Sequence, residues 1–256
     1  MPEDPLSHWP EGLLSSGRPP QLVRPLPGGL SNASYLIEAD GSLWVLRINS
    51  PIPMPGIDRD REARILKHAV AAGLAPEVLC CAPDSGVLIT RYIDGRHWRP
   101  HELGAGSRQD RLLELIQSVS RLSAEPPALD YRALGREYLA RMRGDTALMQ
   151  RKLADLDVLL EEMSPQSSSL TLTHHDPTPE NIIEADGRLF LLDWEYAAPG
   201  PAGLDPAVLV REWRLTPEIV ASACGQDPAT LRQSLALYDL LCDMWRLLMR
   251  GGQAAR

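Results

Sequence analysis

Short apolar runs in the first 92 residues predict a small antiparallel sheet that is interrupted by one helix. The runs QLVRPL, ASYLIEA, SLWVLRI, EVLCCA and GVLITRY are each bounded by turn residues, as strands are. Asp40-Gly41 predicts a tight hairpin between the second and third runs. Between the third and fourth runs, DREARILKHAVAAG has apolar residues at helical spacing and ends at Gly73. This segment predicts the one main helix.

The spacing of apolar residues changes after residue 92. IDGRHWRP predicts a linker, and residues 107–163 then have helical periodicity. The strand LTLT, a polar loop and the hairpin NIIEADGRLFLLDW, turned at Asp186-Gly187, interrupt the helices before they resume toward the C-terminus. We therefore expect an α+β fold of two lobes, with residues 1–92 forming the N-terminal lobe and residues 93–256 a larger, mostly helical one.

Composition narrows the class of partner. The chain has 256 residues, 44% hydrophobic and 23% charged, which is typical of a globular protein. Its formal net charge of −8 argues against binding to nucleic acid or to anionic membranes. No secretion signal and no run of about 18 apolar residues is visible. We expect a monomer in the cytoplasm that binds a small molecule.

A polar loop between a strand and the second hairpin is the first candidate for chemistry. His174, Asp176 and Asn181 form the pattern H-x-D-x-x-x-x-N, and Asp193 follows the hairpin. Because a hairpin returns the chain upon itself, Asn181 and Asp193 should approach each other. Their oxygens suit Mg²⁺, which leaves Asp176 to accept the proton of an attacking hydroxyl.

Two other interpretations of this loop stay open. Its acids can simply cap backbone amides in a polar turn. The neighbouring histidines, His174 and His175, suggest a zinc site, although adjacent side chains in an extended chain point to opposite faces.

The first lobe supplies an independent signal. Glu62 shares a helix face with Ile65 and Leu66, so its carboxylate faces the core and needs a partner. Arg47, at the end of the strand SLWVLRI, is the candidate cation, and the pair would place a guanidinium group beside phosphates. A plain structural salt bridge is the alternative.

The segment PLPGGLSNASY joins the first two strands. Gly28 and Gly29 let backbone amides approach a polyanion, and Ser31 and Asn32 add side-chain donors. An ordinary turn is the alternative for this glycine loop taken alone.

Together these motifs resemble the aminoglycoside phosphotransferase and choline kinase superfamily, over roughly residues 20 to 215. GGLSNASY resembles the nucleotide loop of that family, VLRI its phosphate-contacting strand and REARIL the helix that supplies the glutamate partner. ITRYIDGR, with Tyr92 and Ile93, resembles the hinge that meets adenine. THHDPTPEN is similar to the catalytic loop and LLDWEY to the metal-binding stretch.

The resemblance implies a protein-kinase-like fold, with ATP and Mg²⁺ as cofactors in a cleft between a nucleotide-binding lobe and a catalytic lobe. It implies that Asp176 is the catalytic base, with His174 and Arg47 also in the catalytic site. Asn181 and Asp193 would bind Mg²⁺. Asp205, in GLDPAVL, resembles the aspartate that braces the catalytic loop.

The substrate that would accept the phosphoryl group is predicted less directly. Arg47 stands where aminoglycoside kinases carry lysine, and arginine there is similar to the choline and thiamine kinase branches. Choline and thiamine are both cationic primary alcohols. We expect the substrate to be an alcohol of this kind, with a slight preference for thiamine. Rings that can contact such a cation are those of Trp194, Tyr196, Trp213, Tyr238 and Trp245.

Glu195 or Glu212 would provide the counter-charge for that cation. Ordinary helix packing is the alternative for each aromatic residue. A sugar or aminoglycoside kinase of the same superfamily, and a nucleotide-binding relative without turnover, are the alternative functions.

Overall fold

The structure, a computed structural model, describes residues 4–14, 18–27, 32–104, 106–124, 126–143, 145–163 and 170–253. The strands are β1 (Gln21–Leu26), β2 (Asn32–Ala39), β3 (Ser42–Asn49), β4 (Val78–Ala82), β5 (Val87–Arg91), β6 (Arg96–His97), β7 (Leu170–Thr173), β8 (Ile182–Ala185), β9 (Arg188–Leu191) and β10 (Ala198–Pro201). The helices are α1 (Arg59–Ala71), α2 (Ser107–Ser120), α3 (Tyr131–Arg141), α4 (Ala147–Glu162), α5 (Leu204–Arg211), α6 (Pro217–Ala223) and α7 (Pro228–Gln253).

The first five strands form one antiparallel sheet in the order β1-β2-β3-β5-β4, as the apolar runs predict. Asp40 and Gly41 both have positive φ, at 50° and 69°, which suits the turn that joins two tightly paired strands. Helix α1 begins after Asp58, whose side chain accepts a hydrogen bond from the backbone N–H of Arg61 at 2.9 Å. The predicted main helix is therefore confirmed.

The two faces of this sheet have separate cores. Trp44, Leu46 and Ile89 belong to a small apolar cluster on one side, which Trp9 covers from the N-terminal segment. Sequence periodicity does not assign this segment to the sheet, because only four apolar residues of the segment reach it. Helix α1 lies in the other core, which continues through the helices of the second lobe.

The predicted linker contains a short strand. β6 pairs antiparallel with β8, with Arg96 opposite Glu184 and His97 opposite Ile183. A side chain at Gly95 would lie 2.5 Å from the carbonyl oxygen of Glu184, so only glycine allows this close approach. The residues that connect the lobes are therefore held against the second lobe.

Helices α2, α3 and α4 occupy the region that has helical periodicity, with breaks at residues 121–130 and 142–146. The second hairpin also agrees with prediction. β8 and β9 pair around Asp186 and Gly187, whose φ angles are 50° and 70°. Each helix in the described ranges is too short or too polar to cross a bilayer.

Candidate active site

Sheet pairing places the catalytic loop beside the segment that follows the hairpin. β7 pairs with β10, so that Thr173 lies opposite Ala198, and the loop 174–181 runs next to residues 193–197. Asp205, in the first turn of α5, accepts hydrogen bonds from the backbone N–H groups of His174 at 2.7 Å and His175 at 2.9 Å. Asp205 therefore holds the beginning of the loop in a fixed conformation.

Asn181 orients Asp176. The Asn181 Nδ2 donates to the Asp176 Oδ2 at 2.8 Å and to the Asp176 backbone oxygen at 2.9 Å. Desolvation raises the pKa of Asp176 to about 7, and the charge of Asp193 adds to this effect. Because both amide hydrogens point to Asp176, the Asn181 carbonyl oxygen is left for a cation.

The hairpin brings the second predicted ligand to the same place. The Leu192 N–H donates to the Asn181 backbone oxygen at 2.7 Å, which fixes Asp193 next to the loop. Asp193 has a φ of 59°, and its side chain is 39% exposed to the cleft. Desolvation of the carboxylate and the charge of Glu195 raise the pKa of Asp193 to about 7.

Arg47 joins the lobes at this point. Its Nη2 is 2.6 Å from Glu62 Oε1, and its Nη1 is 3.2 Å from Asp193 Oδ1. Both Arg47 and Glu62 are buried. The predicted pairing is therefore present, and the guanidinium group also reaches the candidate metal ligand.

A second arginine, for which the motifs predict no role, lies beside this pair. The Arg59 Nη1 contacts Glu62 Oε2 at 2.8 Å and Glu195 Oε2 at 3.1 Å, and its Nη2 donates to Asn32 Oδ1 at 2.9 Å. The Asn32 Nδ2 donates to the same Glu195 oxygen at 2.7 Å. The i, i+3 spacing from Glu62 is the sequence signal that identifies Arg59.

His174 does not have the character of a proton-transfer group. Its side chain is 0% exposed, and burial lowers its pKa to about 3. The Nδ1 accepts a hydrogen bond from the Asp176 N–H at 3.3 Å, and the ring packs edge-on against Trp194. The predicted catalytic role is therefore corrected, because the neutral imidazole supports the loop from behind.

Two predicted acceptor contacts are also corrected. Trp213 is 1% exposed and donates its indole N–H to the Pro177 oxygen at 2.8 Å. Trp194 is 2% exposed and donates to the Leu191 oxygen at 2.9 Å. Neither indole offers an open ring face to a cation, and both instead support the loops of the site.

Of the other predicted aromatic residues, one contacts a carboxylate in the second lobe. Tyr196 and Trp245 are partly buried. The Tyr238 hydroxyl donates to Glu212 Oε1 at 2.9 Å. Glu212 is near enough to Asp176 for its charge to contribute to the raised pKa of Asp176.

A cavity of about 700 Å³ opens between the sheet and the second lobe. Predicted nucleotide and metal residues line it together, namely Asn32, Arg47, Glu62, Tyr92, Ile93, Asn181 and Asp193. Apolar side chains of Val45, Leu88 and Leu192 form part of its wall. The volume and the mixture of apolar and charged walls suit a nucleotide. Gly28, Gly29 and Ser31 lie outside the described residues.

The donor set fits a magnesium ion. Within the described ranges, no three His, Cys, Asp or Glu side chains group closely enough to hold a metal by themselves. Mg²⁺ ordinarily takes one or two carboxylates and completes its shell with water and phosphate oxygens. Three carboxylates, of Glu62, Asp193 and Glu195, contact two guanidinium groups, of Arg47 and Arg59, and the charge of Asp193 also acts on Asp176. This excess of negative charge suits a divalent cation.

The fold and this cleft define a kinase-like phosphotransferase. The Phosphotransferase enzyme family matches residues 22–239, and the chain belongs to this family. The match confirms the family that the motifs indicate, and phosphotransferase is the enzyme class that we predict from them.

Individual relatives agree with this placement. Protein LicA of Haemophilus influenzae is 28% identical over 213 residues, which cover 78% of this chain and 62% of that protein. The chain thus spans less than two thirds of the length of this relative. The crystal structure of choline kinase LicA from Streptococcus pneumoniae has a TM-score of 0.74 and 18% identity, with 91% of this chain and 88% of that chain covered.

A choline/ethanolamine kinase family protein from Mesorhizobium loti has a TM-score of 0.70 and 25% identity, with 93% of this chain and 82% of that chain covered. These structures confirm the predicted two-lobed kinase-like fold.

Proposed function

We propose that the protein transfers the γ-phosphoryl group of ATP to the hydroxyl of a small cationic alcohol of the choline type. The arrangement that supports this most strongly is that Asn181 and Asp193 line the nucleotide-sized cavity and that Asp176 adjoins them through its hydrogen bond with Asn181. Asp176 has no ion-pair partner among the described residues, so its carboxylate can act on a substrate.

Asp176 would orient the acceptor hydroxyl and accept its proton as the hydroxyl oxygen bonds to the γ-phosphorus. The bond from that phosphorus to the bridging oxygen breaks, and ADP leaves with the electron pair. A hydrogen bond from Asn181 holds the Asp176 carboxylate in place. Arg47 lies between Glu62 and Asp193, where it can offset phosphate charge.

Asn181 and Asp193 would hold Mg²⁺. When bound, the ion supplies charge neutralisation for the phosphate oxygens. Burial and the charge of Glu195 raise the pKa of Asp193 although Arg47 lies 3.2 Å away, so a bound divalent cation would favour the charged carboxylate.

Glu212 supports a cationic acceptor. It lies on the Asp176 side of the cleft, and Tyr238 holds one of its oxygens by a hydrogen bond of 2.9 Å. Tyr196, the last residue of the stretch LLDWEY, can add a ring face. The relatives named as choline kinases are consistent with this class of alcohol, and for this reason we place choline before thiamine.

Replacing Asp176 tests the proposed chemistry. Asp176→Asn keeps the shape and the contact with Asn181 but removes proton acceptance, so we expect kcat to fall by about 10² or more. The Kd for ATP, measured by calorimetry, should change little. Asp157→Asn is a matched control, because Asp157 forms a half-exposed pair with Arg132 on the second lobe. Loss of ATP binding with an unchanged rate per bound complex would contradict the role of Asp176.

The acceptor is tested separately. We expect labelled ATP to phosphorylate choline in preference to thiamine, ethanolamine, N-acetylmuramate and an aminoglycoside. Glu212→Gln should reduce kcat/KM for choline and leave the KM for ATP near that of the wild type. Preference for a neutral sugar would contradict the cationic acceptor and leave the phosphotransferase assignment intact.

A further inference from the structure

Arg59 and Asn32 link the two lobes independently of Arg47. Asn32 lies in the predicted nucleotide loop GGLSNASY and begins β2, and Arg59 begins α1. Glu195 lies in the segment that follows Asp193. One Glu195 oxygen is 2.7 Å from Asn32 Nδ2 and 3.1 Å from Arg59 Nη1, so the three side chains form a closed triangle with the contact of 2.9 Å between Arg59 and Asn32.

This triangle differs from an ordinary surface ion pair. Glu195 is buried, and the Arg59 side chain is 20% exposed. The same arginine also holds the Glu62 oxygen that Arg47 leaves free. Charged groups interact more strongly in a partly buried network than in water, so loss of one side chain should affect the positions of the others.

The side chain of Asn32 is engaged in a way that the sequence does not predict. Its Nδ2 donates to Glu195 and its Oδ1 accepts from Arg59, whereas the sequence predicts a side-chain donor to phosphate at Asn32. Both polar atoms of the Asn32 side chain therefore hold protein groups of the other elements.

We propose that Arg59 is a positioning residue that couples the end of the nucleotide loop to the metal-binding segment by holding Asn32 and Glu195 together. The coupling rests on the proposed function in one respect, since it assumes that ATP occupies the cavity between these elements. ATP would then bind to a site in which Asn32 and Glu195 already have a fixed relation.

A double-mutant cycle tests this coupling. We would measure the Kd for ATP with Mg²⁺, by calorimetry and without any acceptor, for Arg59→Met, Asn32→Ala and the double variant. Each single substitution should raise the Kd for ATP by about tenfold. The Kd of the double variant should stay within about twofold of the higher of the two single-variant values, because either substitution opens the same triangle. Lys67→Met, on an exposed position of the same helix, should leave the Kd unchanged.

Independent effects that multiply to about a hundredfold in the double variant would overturn the proposal. An Arg59→Met protein with a lower Tm and an unchanged Kd for ATP would show a structural role only, and would also overturn it. If Arg59→Met does not fold, Arg59→Lys serves instead, because it keeps the charge but lacks the planar fork whose two nitrogens reach the carboxylates and Asn32 separately.

Arg59→Lys should weaken ATP binding by a few-fold, and Asn32→Ala should then have a smaller effect in that background than in the wild type. Equal effects of Asn32→Ala in both backgrounds would contradict the coupling. Because the Kd is measured without acceptor, failure to phosphorylate any alcohol would refute the proposed function and leave this result standing.

Discussion

Asp205→Asn is the substitution that most directly probes how the catalytic loop is held. The Asp205 carboxylate accepts two backbone hydrogen bonds, from His174 and His175. Asparagine can accept only one of them with its oxygen, and its NH₂ group then faces the other N–H. A buried donor left without an acceptor costs about 1–3 kcal/mol. For a chain of this size each kcal/mol lowers Tm by roughly 2–4 °C, so we expect a fall of about 2–12 °C.

The assay measures the Tm of thermal unfolding for Asp205→Asn and for a control variant, Asp239→Asn. The control makes the same chemical change in an exposed ion pair with Arg211. That control should cost no more than about 1 kcal/mol. An equal fall in Tm for the two variants would refute the bracing role of Asp205.

The wild type and Asp205→Asn can also be compared as a function of pH. Burial raises the pKa of Asp205 from 3.8 to about 7, so the folded protein holds this proton more tightly than the unfolded chain does. The stability contributed by this protonation is fully present below pH 3.8 and is lost as the pH rises through about 7. The Tm difference between wild type and Asp205→Asn should therefore be larger at acidic than at alkaline pH. A difference that is independent of pH would contradict the assigned shift.

Two further substitutions separate acceptor binding from structural support. Tyr238→Phe removes the hydrogen bond to Glu212 and should raise the KM for choline by about two- to tenfold, with the KM for ATP unchanged; equal changes in both constants would argue against a local role. Trp213→Phe removes the buried bond to Pro177 and should lower Tm without altering the ratio of kcat/KM values for choline and thiamine, whereas a changed ratio would return Trp213 to the acceptor site.

Much of the fold follows from local signals. The Asp-Gly turns fix two hairpins, and the second hairpin is enough to predict that Asn181 and Asp193 meet. Glu62 on the core-facing side of its helix similarly predicts a buried cation partner, which is Arg47. These inferences succeed because each depends on residues close in sequence or on one periodic face.

The features that sequence reasoning missed depend on packing between distant elements. The indole of Trp213 is buried by the catalytic loop, and nothing near it in sequence separates that state from an open ring face. Arg59 reaches Glu195 across 136 positions, so its second role is visible only after the lobes are assembled. The two-residue strand β6 is too short to have a periodic pattern.

The most direct test of the proposed activity is to identify the product. Incubation of the protein with ATP, Mg²⁺ and choline, followed by ³¹P NMR, should show one phosphate monoester of choline for each ADP formed. A neutral isostere of choline should lose up to about thirtyfold in kcat/KM, since a cation held over a ring gains about 0.5 to 2 kcal/mol. Formation of ADP with inorganic phosphate alone, or equal use of the neutral isostere, would contradict the assignment of a cationic alcohol as the acceptor.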